Sequence, residues 1–462
     1  MTSLLDPSDP RPVHFMGIAG AGMSALAELF VRRGVRVSGC DSQAAGATDL
    51  AALGVAIETG HDPRHVAGAR AVVVTSAVPR SHPELDAARA ANVPVIRRAE
   101  ALGEVVNAGR VVAIAGTHGK TTTTVMTTEA LAAAGLAPTG IVGGRVGAWG
   151  GNLRLGGDSV FVVEADEYDR SFLALRPTVA VITNVEADHL DIYRDLDDIR
   201  SAFVQFAGPA HTVVLCDDDP GAASLAVTGG AQVLRYGLGE ANTRVRGVPS
   251  TLVDGRTAVA VYFDGECLGD VVLRVPGLHN VRNALAAIAS GLASGATLEA
   301  MRAGLEAFSG VERRFQRLGR AAGVDVVDDY AHHPTEVAAT LDAARAAFPG
   351  RRVVVAFQPH LYSRTRDFAS QFGDALAIAD ACYLADIYPA RERAIPGVTS
   401  DLIASRLMER GRGPVWRGAR ADLAAALVGE VREGDVVLTM GAGDITRTGP
   451  ELLARLAAPR GG

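Results

Sequence analysis

The feature that most constrains this chain is a rhythm of short, uninterrupted apolar runs, each followed by a helix-like stretch. "VHFMGIAG" opens it at 13–20, a helix is expected from about 22 to 33, and "VRVSGCD" (35–41) and "AVVVTSAV" (71–78) continue it. Strands that are apolar throughout, rather than at alternate positions, are buried on both faces, as in a parallel sheet covered by helices. The rhythm restarts at "RVVAIAG" (110–116), with "SVFVVEAD" (159–166) and "TVAVITNV" (178–185). It restarts again near 312–320, with "VDVVDDY" (324–330), "RRVVVAFQP" (351–359), "ACYLADIY" (381–388) and "DVVLTMGAG" (435–443). Residues 243–277 differ: period-two alternation with Asp-Gly pairs at 254–255 and 264–265 reads as a β-meander appended to the second sheet.

The expected fold is therefore α/β in three domains. Residues 1–107 form a Rossmann-like domain, 108–312 a central phosphate-loop ATPase-like parallel sheet with the meander, and 313–462 a second Rossmann-like domain. A length of 462 residues suits this division, at about 100–200 residues per domain. A net charge of −7 argues against nucleic acid or an anionic membrane as the main partner. No apolar run reaches the ~18–20 residues of a membrane span, and "MTSLLDPSDPRP" lacks the pattern of a signal sequence. Cys40, Cys216, Cys267 and Cys382 form no Cys-x-x-Cys pair and read as free thiols of a cytoplasmic protein. Oligomeric state leaves no mark in the sequence.

The chain's 45 basic residues are 44 arginines and one lysine, Lys120. It lies in "GTHGKTTTT" (116–124), directly after an apolar strand and before a helix. A tight strand-to-helix turn gathers backbone N–H groups into a concavity that suits an anion. Gly116 and Gly119 permit the turn, with Thr117 and His118 between them. Lys120 is placed to reach a nucleotide's β/γ-phosphates, and Thr121, followed by Thr122, to ligate Mg²⁺. The string departs from the standard phosphate loop, because Ile114 stands five positions before Gly119. Glu164 and the Asp188–His189 pair close neighbouring strands, where α/β sheets bind ligands, and are the further metal candidates.

"MGIAGAGMSALA" (16–27) resembles the dinucleotide fingerprint, with Gly17, Gly20, Gly22 and Met23 in place and Ala19 at the middle glycine. Asp41 ends the next strand, where an acid would hold a ribose. Alone, these residues suggest an NAD-dependent oxidoreductase or an NAD-sensing module. A UDP-sugar carries a pyrophosphate as well, and that reading also leaves the phosphate loop with a task.

Taken in order, "HFMGIAGAGMSALA", "AGTHGKTTTT", "VEADEYDRSFL", "TNVEADHLDIY", "VPGLHNVRNALAA", "FSGVERRFQRLG", "VVDDYAHHPTEV", "FQPHLYSRT" and "GAGDI" resemble the Mur ligases over essentially the full length. The resemblance implies ATP-driven, Mg²⁺-dependent amide formation between the lactyl carboxylate of UDP-N-acetylmuramate and L-alanine, the first peptide-stem step of peptidoglycan synthesis. The carboxylate would take the γ-phosphoryl group, and alanine's amine would attack the acyl phosphate. By the same resemblance, Lys120 with Mg²⁺ held by Thr121, Glu164 and His189 is the catalytic core. Asn280 and Asn283 lie near adenine, Asp329 takes the ATP ribose and Arg314 the γ-phosphate. His360 and Arg364 face alanine. The UDP portion sits along Gly17 to Met23, with Asp41, Thr75 and Ser76, and the third domain closes on ATP. Several members hold a second Mg²⁺ with a carbamylated lysine after the Asp-His pair; residues 190–210 here contain no lysine. Three positions depart from the family: Ala19 for glycine, Leu361 for arginine and Arg391 for glycine.

Overall fold

The computed structural model describes residues 4–190, 192–240, 242–252, 256–390 and 392–458. Arg391 and the first Asp-Gly turn of the expected meander lie outside them. Contacts divide the chain into two compact units, one of Met1–Val248, Val259–Val272 and Arg282–Phe308, the other of Pro249–Ala258, Leu273–Val281 and Ser309–Gly462.

The first sheet contains β1 (Val13–Met16), β2 (Val37–Asp41), β3 (Ala56–Thr59), β4 (Ala71–Val74) and β5 (Val95–Arg97) in the order β3-β2-β1-β4-β5. All its pairings are parallel. From β1 the chain crosses to β2 on one side and later to β4 on the other. The turn after β1 therefore stands at a topological switch point, the place where such sheets bind ligands. The helix that follows, Ala21–Arg32, starts one residue before the expected position and buries Met23, Leu26, Leu29 and Phe30.

The second sheet has ten strands: β6 (Arg110–Ala115), β7 (Thr139–Val146), β8 (Gly151–Arg154), β9 (Val160–Glu164), β10 (Val179–Ile182), β11 (Thr212–Cys216), β12 (Gln232–Gly237), β13 (Val245–Thr251), β14 (Thr257–Phe263) and β15 (Glu266–Leu273). Their order is β15-β14-β13-β12-β11-β10-β6-β9-β7-β8. The expected meander is the β13–β15 edge. Its second turn, Asp264–Gly265, has both residues at positive φ, as a two-residue hairpin of matching twist requires. Helix Ala21–Arg32 of the first sheet packs on β7 and β8, so both sheets belong to one unit.

Register explains what surrounds the phosphate loop. β6 lies between β9 and β10. Ile114 is paired with Glu164 and Ala115 with Ile182, so the ends of both neighbours emerge beside Gly116.

The third sheet, in the second unit, holds β16 (Gln316–Ala321), β17 (Val324–Asp329), β18 (Val353–Phe357), β19 (Ala381–Ala385), β20 (Trp416–Gly418) and β21 (Val436–Met440), ordered β16-β17-β21-β18-β19-β20. β17, β18, β19 and β21 are the four apolar runs of the sequence. β16 is an antiparallel edge strand bulged at Arg317/Gly319. In the sequence its residues carry only a site motif, because a half-exposed edge has no continuous apolar run.

Candidate active site

The phosphate loop is built by its neighbours. Gly116 has φ +141, and a Cβ there would lie 2.0 Å from Thr183 Oγ1; at Gly119, with φ +79, a Cβ would lie 2.7 Å from Asn283 Oδ1. No other residue fits either position. The end of β10 braces the loop: Thr117 N–H donates to the Asn184 carbonyl at 3.1 Å and His118 N–H to Asn184 Oδ1 at 2.7 Å. Thr183 Oγ1 and Asn184 Nδ2 both donate to the His118 carbonyl. Two of the N–H groups expected to cradle phosphate are thus committed to Asn184. The anion position falls instead to the first turn of helix Lys120–Ala133, whose N–H groups have no intrahelical partner.

Lys120 Nζ donates to the Gly116 carbonyl at 2.6 Å, the Thr117 carbonyl at 3.2 Å and Glu167 Oε1 at 2.9 Å. Glu167 is only 3% exposed. Burial pushes its carboxyl up, but Lys120 and His189 outweigh that and hold it below the usual range. Burial pulls the Lys120 ammonium down, and Glu167 and Asp166 more than reverse it. The pair is therefore ionised on both sides. Thr121 Oγ1 donates to Glu164 Oε1 at 2.9 Å, and Gly143 N–H to Glu164 Oε2 at 2.6 Å. Burial nonetheless pushes the Glu164 carboxyl up, as expected of an acid kept from water.

The expected trio of metal ligands divides. Thr121 and Glu164 touch, whereas His189 Nε2 stands 3.6 Å from Glu167 Oε1 and 3.8 Å from Asp188 Oδ2. Glu167, which the sequence reading passed over, links His189 to Lys120. Asn280 Nδ2 donates to the Pro276 carbonyl. Asn283 Oδ1 accepts from Thr123 Oγ1 at 3.1 Å, seating this amide against the loop.

A cavity of about 610 Å³ runs from Gly17, Gly20, Gly22, Met23, Asp41 and Thr75 at one end to Gly143, Glu164 and Asp166 at the other, with Arg98 also on its wall. Ser76 is outside the lining, although Thr75, Ala77 and Val78 of the same turn after β4 are in it. Ala19 is outside too; its methyl sits 3.4 Å from where a Cβ on Gly46 would stand, so it does not intrude where the departure from glycine suggested. Asp41 Oδ2 accepts from Ala19 N–H at 3.0 Å and Oδ1 from Gln43 N–H at 2.8 Å. This carboxylate holds the glycine turn in shape. Arg98 escaped the sequence reading because nothing in "VIRRAE" says which arginine faces inward.

In the second unit, Asp329 is buried at the end of β17 and accepts from Phe315 N–H at 2.7 Å and Ala331 N–H at 2.8 Å. Burial pushes its carboxyl up to about 6, against the opposing pull of the Arg314 guanidinium. Arg314 lies over the Tyr330 ring and 3.5 Å from Glu336. His360 stacks on Tyr388, ring centroids 5.8 Å apart, and its Nδ1 is 3.4 Å from an Arg364 nitrogen. The expected alanine-facing pair is thus brought together. Leu361 starts helix Tyr362–Leu376 with φ +70 and is buried.

Three α/β sheets, a phosphate loop bonded to Glu164 and a dinucleotide-type turn facing Glu164 across one cavity define a nucleotide-binding protein of the phosphate-loop class. More narrowly, the chain belongs to the Mur ligase family. Residues 12–110 match the family's catalytic domain, 114–291 the Mur ligase middle domain and 313–443 the glutamate ligase domain. It is 46% identical over 446 residues to the UDP-N-acetylmuramate–L-alanine ligase of Burkholderia ambifaria, covering 94% of this chain and 96% of that one. The same ligase of Cutibacterium acnes is 46% identical over 461 residues, 98% of each chain. Among solved structures, UDP-N-acetylmuramate–alanine ligase of Thermotoga maritima superposes with a TM-score of 0.82 at 29% identity, covering 96% of this chain and 99% of that one. The oxidoreductase reading of the N-terminal glycines finds no support, since these full-length relatives are ligases.

Proposed function

We propose that this protein joins L-alanine to the lactyl carboxylate of UDP-N-acetylmuramate at the expense of ATP, through an acyl phosphate. The observation that carries this reading is the continuous cavity between the glycine turn of β1 and Glu164, whose carboxylate is bonded to the phosphate loop through Thr121. A pyrophosphate-linked sugar lying along it would have its diphosphate at Gly17–Met23 and its acid end beside the loop. Full-length similarity to ligases for these two substrates supports the same assignment.

In this mechanism the chain positions and neutralises charge, which is most of what phosphoryl transfer asks of a protein. Lys120 and the first-turn N–H groups hold the γ-phosphoryl group, with Glu167 fixing the ammonium. Thr121 and Glu164 present the oxygen donors that Mg²⁺ prefers, with His189 behind them on Glu167, and this donor set fits the ion. Bound there, Mg²⁺ would neutralise the phosphate oxygens. Arg314 and Asp329 are assigned to the γ-phosphate and ribose of ATP, Asn280 and Asn283 to the surroundings of adenine, and His360 and Arg364 to alanine. The acyl phosphate gives the direct test. With ATP and UDP-N-acetylmuramate but no alanine, hydroxylamine should trap a hydroxamate on the sugar's lactyl group. ADP formation with no hydroxamate would remove the intermediate.

Arg364→Ala is expected to raise the KM for L-alanine by about 10- to 150-fold while moving that for ATP little, because a charge-assisted hydrogen bond contributes ~1.5–3 kcal/mol. Equal changes in both KM values would make Arg364 structural. A second expectation concerns Asp329, whose carboxyl titrates near 6 rather than at its ordinary 3.8. Only the ionised acid accepts two ribose hydroxyls fully. Calorimetric titration with a non-hydrolysable ATP analogue should therefore show affinity falling as pH drops through about 6, by up to roughly tenfold per unit. The sign for folding is opposite. The folded state keeps a proton that the unfolded chain has released, so this group costs stability as pH rises from about 4 to 6. Asp329→Asn should flatten the binding profile; an unchanged profile would place the titration elsewhere.

A further inference from the structure

Behind the glycine turn, on the face of the first sheet that His14, Met16, Ser38 and Cys40 share, lies a cluster the ligase chemistry does not use. Glu84, on helix Pro83–Ala90, is fully buried. Its Oε1 lies 2.8 Å from His65 Nδ1 and 3.4 Å from Cys40 Sγ, and its Oε2 lies 3.1 Å from His61 Nδ1. His14, Cys40, His65 and Glu84 each offer a ligand atom, all within 4.8 Å of one another.

We propose that His14, Cys40, His65 and Glu84 form a binding site for a soft divalent cation of the zinc class. The mixed nitrogen, sulfur and oxygen set, four ligands in number, is that of a closed tetrahedral zinc site, with bonds of about 2.0–2.3 Å. Ligand atoms already within 4.8 Å need only a small contraction to reach it.

Hydrogen bonding leaves one buried nitrogen of the cluster unsatisfied. His14 is 1% exposed, and its Nε2 has no partner. Its Nδ1 is held by Ser38 Oγ at 3.0 Å, the outer bond that orients a metal-ligating imidazole and fixes its tautomer. His65 Nδ1 faces both Glu84 Oε1 and, at 3.3 Å, the Asp62 N–H. The same Asp62 N–H donates to Glu84 Oε1 at 2.9 Å, so that one oxygen gathers both groups. His61 Nδ1 lies 3.1 Å from Glu84 Oε2 and 3.3 Å from Cys40 Sγ. A cation taking the lone pairs of His14 and His65, one Glu84 oxygen and the Cys40 thiolate gives His14 Nε2 the partner it lacks. The thiol proton leaves to solvent, and no oxidant or reductant is needed. A cavity of about 420 Å³ lined by His14, Ser38, Glu58, Arg64 and His65 supplies the way in.

The site does not rest on the ligase reading, but it adjoins that cavity. The Cys40 carbonyl accepts from the N–H groups of Gly17 and Ile18, and His61 lines the larger cavity as well. An ion here would pin the glycine turn from behind.

The test uses tag-free, full-length protein stripped with chelator and titrated with Co²⁺ and then Zn²⁺ alone. One equivalent of Co²⁺ should give intense tetrahedral visible bands and a sulfur-to-cobalt charge-transfer band, both bleached by Zn²⁺. Cys40→Ser should lose the charge-transfer band, while Cys267→Ser, at an exposed thiol elsewhere, keeps it. His14→Gln should weaken Zn²⁺ binding by tenfold or more. Because buried substitutions can unfold a domain, melting is followed in parallel: Zn²⁺ should raise the melting temperature of the wild type and not of a folded Cys40→Ser variant. Cobalt uptake without a sulfur band, the same band in Cys40→Ser, or Zn²⁺ affinity unmoved in His14→Gln would each overturn the assignment.

Discussion

Lys120→Arg is expected to lose more than nine-tenths of kcat, almost as much as Lys120→Ala. All three donors of the ammonium have partners within 3.2 Å: the carbonyls of Gly116 and Thr117 and the carboxylate of Glu167. A compact tetrahedral cation can satisfy these and exchange one for a phosphate oxygen. A planar guanidinium on a stiffer fork cannot turn its donors to the same three directions. In a chain with 44 arginines, that difference accounts for the one lysine. The measurement is steady-state phosphate release with all substrates saturating. Retention of more than about a tenth of wild-type kcat, a loss below ~1.4 kcal/mol in the barrier, would make the lysine an accident of composition.

Glu167 carries the second large expectation. Glu167→Ala would leave the Lys120 ammonium, whose side chain is 15% exposed, without its carboxylate, and breaking a buried pair costs about 3–5 kcal/mol. The melting temperature should fall, and kcat should drop by roughly 10²–10³, the range for losing one preorganised charge-stabilising group. Glu167→Gln separates the two effects. It keeps the shape and one acceptor, so the fold should recover while most of the activity loss persists. A Gln variant within threefold of wild-type kcat would show that the carboxylate serves packing and has no part in holding the lysine for transfer.

How much of this was legible depended on whether the signal was local. The phosphate loop is a string with a strand before it and a helix after it, and its glycines and lysine could be read off directly. Glu164 ends an apolar run and was found for that reason. Glu167 was not, because "EADEYD" offers four acids within six residues. Which of them turns inward is decided by a short helical segment in which Asp169 and Arg170 adopt φ +53 and +54. The same limit hid Arg98, and it placed Ser76 with Thr75 where the turn after β4 brings Thr75, Ala77 and Val78 to the cavity and leaves Ser76 out. Edge strands such as β3, mostly exposed and four residues long, carry no apolar run for the eye to catch. The histidine–cysteine cluster is the extreme case. Its members are scattered from residue 14 to residue 84 and meet only because β1, β2 and two short helices share one face.

ATP cleavage here is coupled to joining an amino acid to a nucleotide sugar. Phosphate release should be followed from ATP·Mg²⁺ with UDP-N-acetylmuramate and, in turn, L-alanine, glycine and L-serine, each omitted once. Sustained turnover is expected only with both the sugar nucleotide and an amino acid present, fastest with L-alanine, with one amide formed per phosphate. Turnover indifferent to the sugar nucleotide, or nicotinamide reduction in a protein that leaves ATP intact, would contradict it.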